Sequence, residues 1–173
     1  MKLPIAVPSA GDRVQVSALS RREDLFAALD HAAVWQHIPG GAPETPEVMA
    51  ERLSGAGRQP LLIDHTGTVL GTSSYLLDPA DPGGIEIGAT LLTPDAWGTG
   101  INSAAKALMI DAAFAAGAQW VQFRTDERNG RSAAAILKLP GAVEIASRRE
   151  PHIVRSDGTV RTSRVFRIPL RPA

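Results

Sequence analysis

The order of elements between Ile85 and Ser132 constrains this chain more than any other feature of its sequence. The apolar residues 85–92 predict a strand, which runs into a turn containing Gly98 and Gly100. The alanine-rich residues 101–116 then predict a long helix. A strand that delivers glycines to a helix start aims free backbone N–H groups, and the positive end of the helix dipole, at a phosphate. The stretch therefore predicts a site for a phosphorylated cofactor.

The composition argues against several classes of partner. The 173 residues suit one domain, long enough to bury roughly 70% of its unfolded surface. Eighteen basic residues balance eighteen acidic ones, so the chain lacks the broad positive field that nucleic acid or an anionic membrane requires. Cysteine is absent, which excludes a thiol nucleophile and disulfides and fits a cytoplasmic protein. His31, His37, His65 and His152 show no metal-ligand spacing, so we expect no metal.

The rest of the chain predicts further elements of a single domain. We expect residues 1–13 to form a loose N-terminal arm, because prolines interrupt a short apolar stretch, and residues 14–173 to form one domain. Ser20 and Thr45 are candidate caps of two early helices, the second over Pro46–Leu53. Asn129 is the candidate cap of a late helix that ends near residue 139. Strands are expected at residues 14–19, 60–64, 69–77, 85–92, 120–125, 143–147 and 161–168.

The glycine turn has two alternative interpretations. Gly98-x-Gly100 begins like a dinucleotide-binding fingerprint, but Ser103 stands at the third glycine position and too few strand and helix repeats follow. In the other alternative, the two glycines merely let a strand turn tightly into a helix, without any ligand. The flanking pattern of elements favours a ligand site over this second interpretation.

Several motifs in order resemble the GNAT superfamily of acetyl-CoA-dependent N-acetyltransferases, and most closely its ribosomal-protein N-terminal, or Rim-type, branch. The motifs are Ile85-Glu86-Ile87-Gly88, Pro94-x-x-Trp97-Gly98-Thr99-Gly100-Ile101-Asn102, Ala112-Ala113-Phe114, Phe123-Arg124-Thr125-Asp126-x-x-Asn129-x-x-Ser132 and Asp157-Gly158-x-x-Arg161. The resemblance implies an α+β fold, with a mixed, mostly antiparallel central sheet flanked by helices. It also implies that the sheet is splayed between the strands that end near Leu92 and Thr125.

The resemblance further implies where acetyl-CoA, the acetyl donor, would bind. The amides of residues 98–103 would hold its diphosphate, and the strand edge near Leu92 would pair with its pantetheine arm. Lys106, Arg128 and Arg131 are local cations for its phosphates, although each is more typical of a solvated surface, and we favour Arg131. The expected binding residues are Leu92, Trp97, Gly98, Thr99, Gly100, Ile101, Asn102, Ser103, Asn129 and Arg131.

Two residues are candidates for the chemistry of acetyl transfer. Strict alternation along residues 85–92 would make Glu86 the one ionisable group on a sparse strand face, and we predict it to be the base, directly or through water. The alternative is an ordinary solvent-facing carboxylate. The resemblance places Ser132 near the sulfur as a proton donor and Asn129 on the pantetheine arm. Both residues are also common at helix starts, so capping remains an alternative.

The expected function is transfer of acetyl from acetyl-CoA to a primary amine by direct attack in a ternary complex. An α-amine with a pKa near 7.8 is neutral in roughly one molecule in seven at pH 7, so a weak base suffices for it. The acceptor is either a protein or peptide N-terminus, which the Rim-type resemblance implies, or a small-molecule amine. A homodimer is compatible with the sequence. The alternative function is a catalytically silent CoA-binding regulatory or interaction module.

Overall fold

The computed structural model describes residues 1–7, 14–155 and 157–170. In this part of the chain, one seven-stranded sheet has the order β1-β2-β3-β4-β5-β7-β6. Its strands are β1 Gln15–Ala18, β2 Arg58–His65, β3 Thr68–Leu76, β4 Ile85–Leu92, β5 Trp120–Asp126, β6 Val143–Val154 and β7 Val160–Pro169. The helices are α1 Arg22–Ala28, α2 Ala32–Trp35, α3 Pro46–Leu53, α4 Ile101–Ala115 and α5 Gly130–Leu137, with a short 3₁₀ turn at Pro94–Ala96.

The sheet opens at its centre, between β4 and β5. All other neighbouring strands are antiparallel, whereas β4 and β5 are parallel and pair only at Ile85 with Val121 and at Glu86 with Gln122. Beyond this point the two strands separate, so the edge of β4 toward Leu92 faces a gap. The α+β architecture and the splay expected between these strands are confirmed.

A bulge in β4 changes which side chains share a face. Ala89 has a positive φ of 49°, and the register between β3 and β4 shifts between Thr72 and Ser74. Beyond the bulge, Leu91 packs in a different core cluster from Ile87. The strict alternation expected over residues 85–92 is therefore wrong after Gly88, because a bulge inserts one extra residue and reverses the faces that follow.

Two apolar clusters lie on opposite faces of the sheet. The larger cluster joins α4 and α5 to the central strands through Met109, Phe123 and Phe166. The smaller one packs α1, α2 and α3 on the other face around Leu25 and Met49. Among the residues described, no helix combines the length and the apolar character needed to cross a membrane.

The helix starts and the last strand pair test the local predictions. The helix Pro46–Leu53 is confirmed, and the Thr45 side chain accepts the Val48 N–H at 3.3 Å. The Ser20 cap is wrong, because α1 begins one residue later with Arg21 at its cap and no capping side chain. Strand β6 reaches Val154 rather than residue 147, since its pairing with β7 continues beyond Ser147 to Glu150 and resumes at Val154, despite its many charged side chains.

The N-terminal segment is attached to the domain where it is described. Ile5 is 4% exposed, and its N–H and C=O both bond the Gln59 amide, at 2.7 and 2.9 Å. We expected a loose arm, but residues 1–7 pack on the core because this side chain replaces a strand partner for the Ile5 backbone. Residues 8–13 lie outside the described residues, and the domain boundary near them stays a prediction.

Candidate active site

The glycine turn presents a row of backbone amides that the protein does not use. Gly98 and Gly100 have φ of 77° and 91°, values at which a side chain is strained. A Cβ at either position would meet no atom within 4 Å, so the surface above the turn is open. Within the described residues, no acceptor bonds the N–H groups of Gly98, Thr99, Gly100, Asn102 or Ser103. Such free amides at a helix N-terminus suit an anion.

Trp97 ties the turn to the start of α5. Its indole N–H donates to the Leu92 carbonyl at 2.9 Å, which holds the ring against the end of β4. The Arg131 guanidinium carbon lies 3.5 Å from the centroid of this ring. The stacking brings an exposed cation, from the second residue of α5, beside the amides at the start of α4. Trp97 and Arg131 therefore both lie at the turn.

A cleft of about 320 Å³ lies where β4 and β5 separate. Four of the predicted site residues line it: Glu86, Asn102, Asn129 and Ser132. Leu92 lies at the end of β4, paired with Gly71, and its side chain is buried. The structure thus brings the polar candidates to one cleft, next to the free amides of the turn.

Asn129 and Ser132 form a cap in the wall of this cleft. The Asn129 Oδ1 accepts the Ser132 N–H at 3.0 Å, so the predicted capping of α5 is confirmed. This bond uses the side-chain oxygen of Asn129 and the backbone of Ser132. The Asn129 amide nitrogen and the Ser132 hydroxyl take no part in it, so capping and ligand binding are compatible at both residues.

Asn102 supplies a test of whether coenzyme A suits the cleft. Its Oδ1 is buried, and no hydrogen-bond donor reaches it within the described part of the chain. A buried acceptor without a donor is unfavourable by about 1–3 kcal/mol. The pantetheine arm of coenzyme A carries amide N–H groups that could satisfy this oxygen. The free amides, the stacked Arg131 and this oxygen together fit the ligand.

Glu86 forms an ion pair rather than facing solvent freely. Its Oε2 accepts Arg124 Nε at 2.6 Å and Gln122 Nε2 at 3.2 Å. Both bonds end on the same oxygen, which leaves Oε1 toward Gly88 and the cleft. The interpretation of Glu86 as an ordinary solvent-facing carboxylate is wrong, because Arg124 on β5 holds it at the point where the two strands part.

A buried network continues from Arg124 across the sheet. Its Nη1 donates to Glu150 at 2.7 Å, and Glu150 also accepts the Ser163 hydroxyl and lies 3.4 Å from Arg161. Only 2% of the Glu150 side chain is exposed. Burial acts to lower the pKa of Arg124, but Glu86 and Glu150 raise it above its usual value. Sequence reasoning missed this network, whose members come from four strands.

A second cavity of about 840 Å³ adjoins the cleft and shares His37, Ile38 and Arg161 with it. The segment after α2 and the β6–β7 hairpin form its walls. Arg155 holds the hairpin in place through two bonds to Asp126 at 2.8 Å. Burial acts to raise the pKa of Asp126, but the hydrogen bonds from Arg155 hold it below its usual value.

Lys106 and Arg128 differ in exposure, and only Arg128 lies at the surface as expected. Arg128 pairs with Asp157 at 2.6 Å, on the exposed rim of the larger cavity. Lys106 is only 4% exposed and lines the cleft. The expected surface role of Lys106 is wrong, and a signal was available: it stands four residues after Asn102 and three before Met109, at core spacing on α4.

The described residues hold no group of three or more His, Asp or Glu side chains able to bind a metal ion. The comparison with curated proteins found no significant match. A family model described as "Acetyltransferase (GNAT) domain" matches residues 13–140. The chain therefore belongs to the GNAT acetyltransferases, a family that takes the acetyl group from acetyl-CoA.

Solved structures show the same fold. A probable acetyltransferase of the GNAT family from Chromobacterium violaceum is 24% identical, with a TM-score of 0.85 over 98% of this chain and 88% of that one. A GCN5-related N-acetyltransferase from Brucella melitensis is 21% identical, with a TM-score of 0.83 over 98% and 80%. The ribosomal-protein-S18-alanine N-acetyltransferase from Escherichia coli is 16% identical, with a TM-score of 0.63 over 92% and 96%. At these identities the similarity concerns the fold.

Proposed function

We propose that this acetyltransferase moves the acetyl group of acetyl-CoA to a primary amine by direct attack in a ternary complex. The observation that carries the proposal is the cleft between β4 and β5. Free amides of the glycine turn lie beside it, Glu86 lines it, and the larger cavity continues from it. A donor and an acceptor can therefore approach from different sides and meet where the strands separate.

In this proposal the donor occupies the side formed by α4 and α5. The amides of residues 98–103 and the Arg131 guanidinium bind the diphosphate, with Trp97 orienting Arg131. Asn102 accepts, and Asn129 donates, hydrogen bonds to the pantetheine amides. The open edge of β4 near Leu92 extends the sheet toward the same arm. Coenzyme A supplies the activated acetyl group, and these residues position it.

Glu86 and Ser132 carry the chemistry in the proposal. The Glu86 Oε1 takes the proton of the attacking amine, directly or through one water, while Arg124 holds the other carboxylate oxygen. The Ser132 hydroxyl, at the start of α5, contacts the sulfur and assists its protonation. No covalent intermediate is needed, because the amine attacks the thioester itself.

The acceptor proposed here is the α-amine of a protein or peptide N-terminus. The larger cavity is lined partly by apolar side chains, among them Trp35, Ile38 and Ile153, and it is wide enough for a chain end. The Rim-type motifs and the Escherichia coli neighbour support an N-terminal acceptor, although the fold is shared with other acetyltransferases. A small-molecule amine is the competing acceptor. If the protein acetylated such an amine and no peptide, the small amine would be the acceptor instead.

Two assays test the proposed function. Acetyl-CoA should raise the melting temperature, whereas NAD(P)H should not, because only the first ligand matches the cleft. Thiol release is then measured with unrelated tetrapeptides, their Nα-blocked forms and small amines. Release that requires a free peptide N-terminus supports the proposal. Binding of acetyl-CoA without release for any acceptor would favour the silent CoA-binding module instead.

Variants at the two catalytic candidates separate their roles. Glu86→Gln should lower kcat most at low pH, where the amine depends most on a base, and Ser132→Ala should lower kcat at every pH. Glu23→Gln, in an exposed pair with Arg22 on α1, is the matched control for loss of a carboxylate. An unaltered pH profile in Glu86→Gln would remove it as the base.

A further inference from the structure

Lys106 is a buried amine that the proposed transfer does not use. It lies in the sixth position of α4, one turn after Asn102, and is 4% exposed. Lysine is almost never fully buried unless it is paired with a carboxylate. Its hydrogen-bond partners here are two hydroxyl groups, one on β3 and one on β4. A salt bridge therefore does not explain why Lys106 is buried.

The contacts of Lys106 leave one of its protons directed to no protein group. Its Nζ donates to Ser73 Oγ at 2.9 Å and to Thr90 Oγ1, and these hydroxyls are themselves 2.9 Å apart. The ring of Phe123 lies 5.7 Å from Nζ and favours the cation weakly. An ammonium has three N–H groups, and no third acceptor reaches it within the described residues. Lys106 also lines the cleft between β4 and β5.

The surroundings allow Lys106 to exist both with and without its proton. A hydroxyl rotates, so Ser73 or Thr90 can accept from the ammonium or donate to the neutral amine. Burial lowers the pKa of Lys106 to about 7, and the Glu86 charge opposes this shift. The other charged groups of the cleft lie on β5, β6 and β7 and have ion-pair partners: Arg124 and Arg161 pair with Glu150, and Asp126 pairs with Arg155.

We infer that Lys106 is the source of the proton that the thiolate of coenzyme A takes up as it leaves. The inference rests on the proposed function. The amine nitrogen forms a bond to the acetyl carbon, the C–S bond breaks, and its electron pair stays on sulfur. The Lys106 ammonium gives a proton to this sulfur, directly or across the Ser132 hydroxyl. The proton lost by the nitrogen goes to Glu86 or water, and Lys106 regains one from solvent when the thiol departs.

The acidities of the groups favour Lys106 over Ser132 as the source. An alkyl thiol such as that of cysteine has a pKa of about 8.5. An ammonium that titrates near pH 7 therefore gives its proton to the thiolate downhill, and it is charged in about half of the molecules at that pH. A serine hydroxyl is a far weaker acid, so it serves as a hydrogen-bond donor or a relay.

The first test is a measurement of Lys106 itself, by NMR on protein labelled at the lysine Cε. The chain has three lysines, and Lys2 and Lys138 are exposed. The signal that disappears in Lys106→Met should titrate near pH 7. Its midpoint should differ by at least about half a unit between complexes with CoA and with desulfo-CoA, which lacks the sulfur.

The outcomes of this experiment are distinct. A Lys106 midpoint above pH 9, or equal midpoints in the two complexes, would overturn the inference and leave Lys106 a structural residue. If neither CoA nor desulfo-CoA binds, as judged by the melting temperature, the proposed function fails with it. The titrations are recorded on the wild-type protein, and Lys106→Met serves only to assign the signal.

The second test is kinetic. Lys106→Met should lower kcat roughly 100-fold and remove the fall in rate above pH 7, with little change in the Kd of acetyl-CoA. Lys106→Arg should be equally slow, because guanidinium does not release its proton in this pH range. Lys138→Met, at an exposed position, is the matched control and should keep the wild-type kcat. Wild-type kcat and pH profile in Lys106→Met would overturn the inference.

Discussion

The two sides of the cleft are built in different ways. On the proposed donor side, the candidate binding groups are mostly backbone amides of one short segment, residues 98–103, at the start of α4. On the acceptor side, side chains from four strands meet: Glu86, Arg124, Glu150 and Arg161 are ion-paired across β4, β5, β6 and β7. The donor side is thus a local structure, whereas the acceptor side exists only when distant strands are in register.

The two sides of the cleft should therefore respond differently to mutation. A backbone site depends on the conformation of a few residues, so a change there should weaken ligand binding and leave the rest of the fold intact. A buried ion-pair network depends on all its members, because removal of one leaves the others charged and desolvated. Mutations on the acceptor side should therefore affect stability, and those on the donor side affinity.

The largest effect should come from Glu150→Ala on the acceptor side. The change leaves Arg124 and Arg161 without their shared buried carboxylate, and removal of one partner from such a pair costs about 3–5 kcal/mol of unfolding free energy. Urea denaturation at pH 7 measures it. Glu23→Ala, which breaks the exposed pair with Arg22, should barely change the same quantity, because solvent screens exposed charges. Equal effects would contradict the comparison.

The next effect concerns Lys106, a buried amine on the proposed donor side. Between about pH 7 and 10.4 the unfolded chain binds a proton that the folded chain lacks, so stability from this group rises with pH by up to about 1.4 kcal/mol per unit. Below pH 7 both states are protonated and the full cost of burial remains. Lys106→Met removes this pH-dependent contribution to the free energy of unfolding.

The stability of Lys106→Met relative to the wild type should therefore fall by about 2 kcal/mol from pH 7 to pH 9. Guanidinium denaturation at both pH values measures the difference, in which the titration of all other groups cancels. Lys138→Met should show no such pH dependence, because Lys138 is exposed. A difference that stays constant with pH would mean that Lys106 is not buried as a titrating group.

A smaller effect is expected at the glycine turn. Gly100 has a φ of 91°, and forcing a residue with a Cβ into a left-handed conformation costs about 1–2 kcal/mol. Gly100→Ala should thus weaken acetyl-CoA binding about tenfold, as measured by calorimetry, with little change in melting temperature. Gly130→Ala, at the first position of α5 with open space around it, is the matched control and should bind normally.

The smallest effect should come from Arg131. Its guanidinium is exposed and stacks on Trp97, an interaction of about 0.5–1 kcal/mol at such sites. Arg131→Ala should raise the Kd of acetyl-CoA about threefold to fivefold at low salt, and less at high salt, because exposed charges are screened. Arg131→Lys keeps the charge and loses the flat stack, so an intermediate Kd is expected. A salt-independent loss would place Arg131 away from the diphosphate.

Local elements of the fold could be predicted to within a few residues. The boundaries of β4 and α3 and the caps at Thr45 and Asn129 agree with the structure, because each depends on a few neighbouring residues. The early cap at Ser20 and the end of β6 were wrong. In both cases the contacts with other elements outweighed the local preference, which for a cap is only about 1 kcal/mol.

The candidate site divides in the same way. The turn, Asn129 and Ser132 could be recognised from adjacent residues of one segment. The pairing of Glu86 with Arg124, 38 positions apart, and the contact of Lys106 with Ser73, 33 positions apart, could not, because helical spacing indicates that Lys106 faces the core but not what it meets there. The bulge at Ala89 decides which face of β4 each later residue occupies, and no local sequence pattern predicts this bulge.

The sequence by itself therefore determined the glycine turn, the order of the elements and the family, since backbone conformation at glycines and helix starts depends on short-range sterics and hydrogen bonds. Only the tertiary structure decided the partners of Glu86, and the charge state and partners of Lys106. The energy of a buried charge depends on which groups surround it in space, and strand register and packing bring those groups from distant parts of the chain.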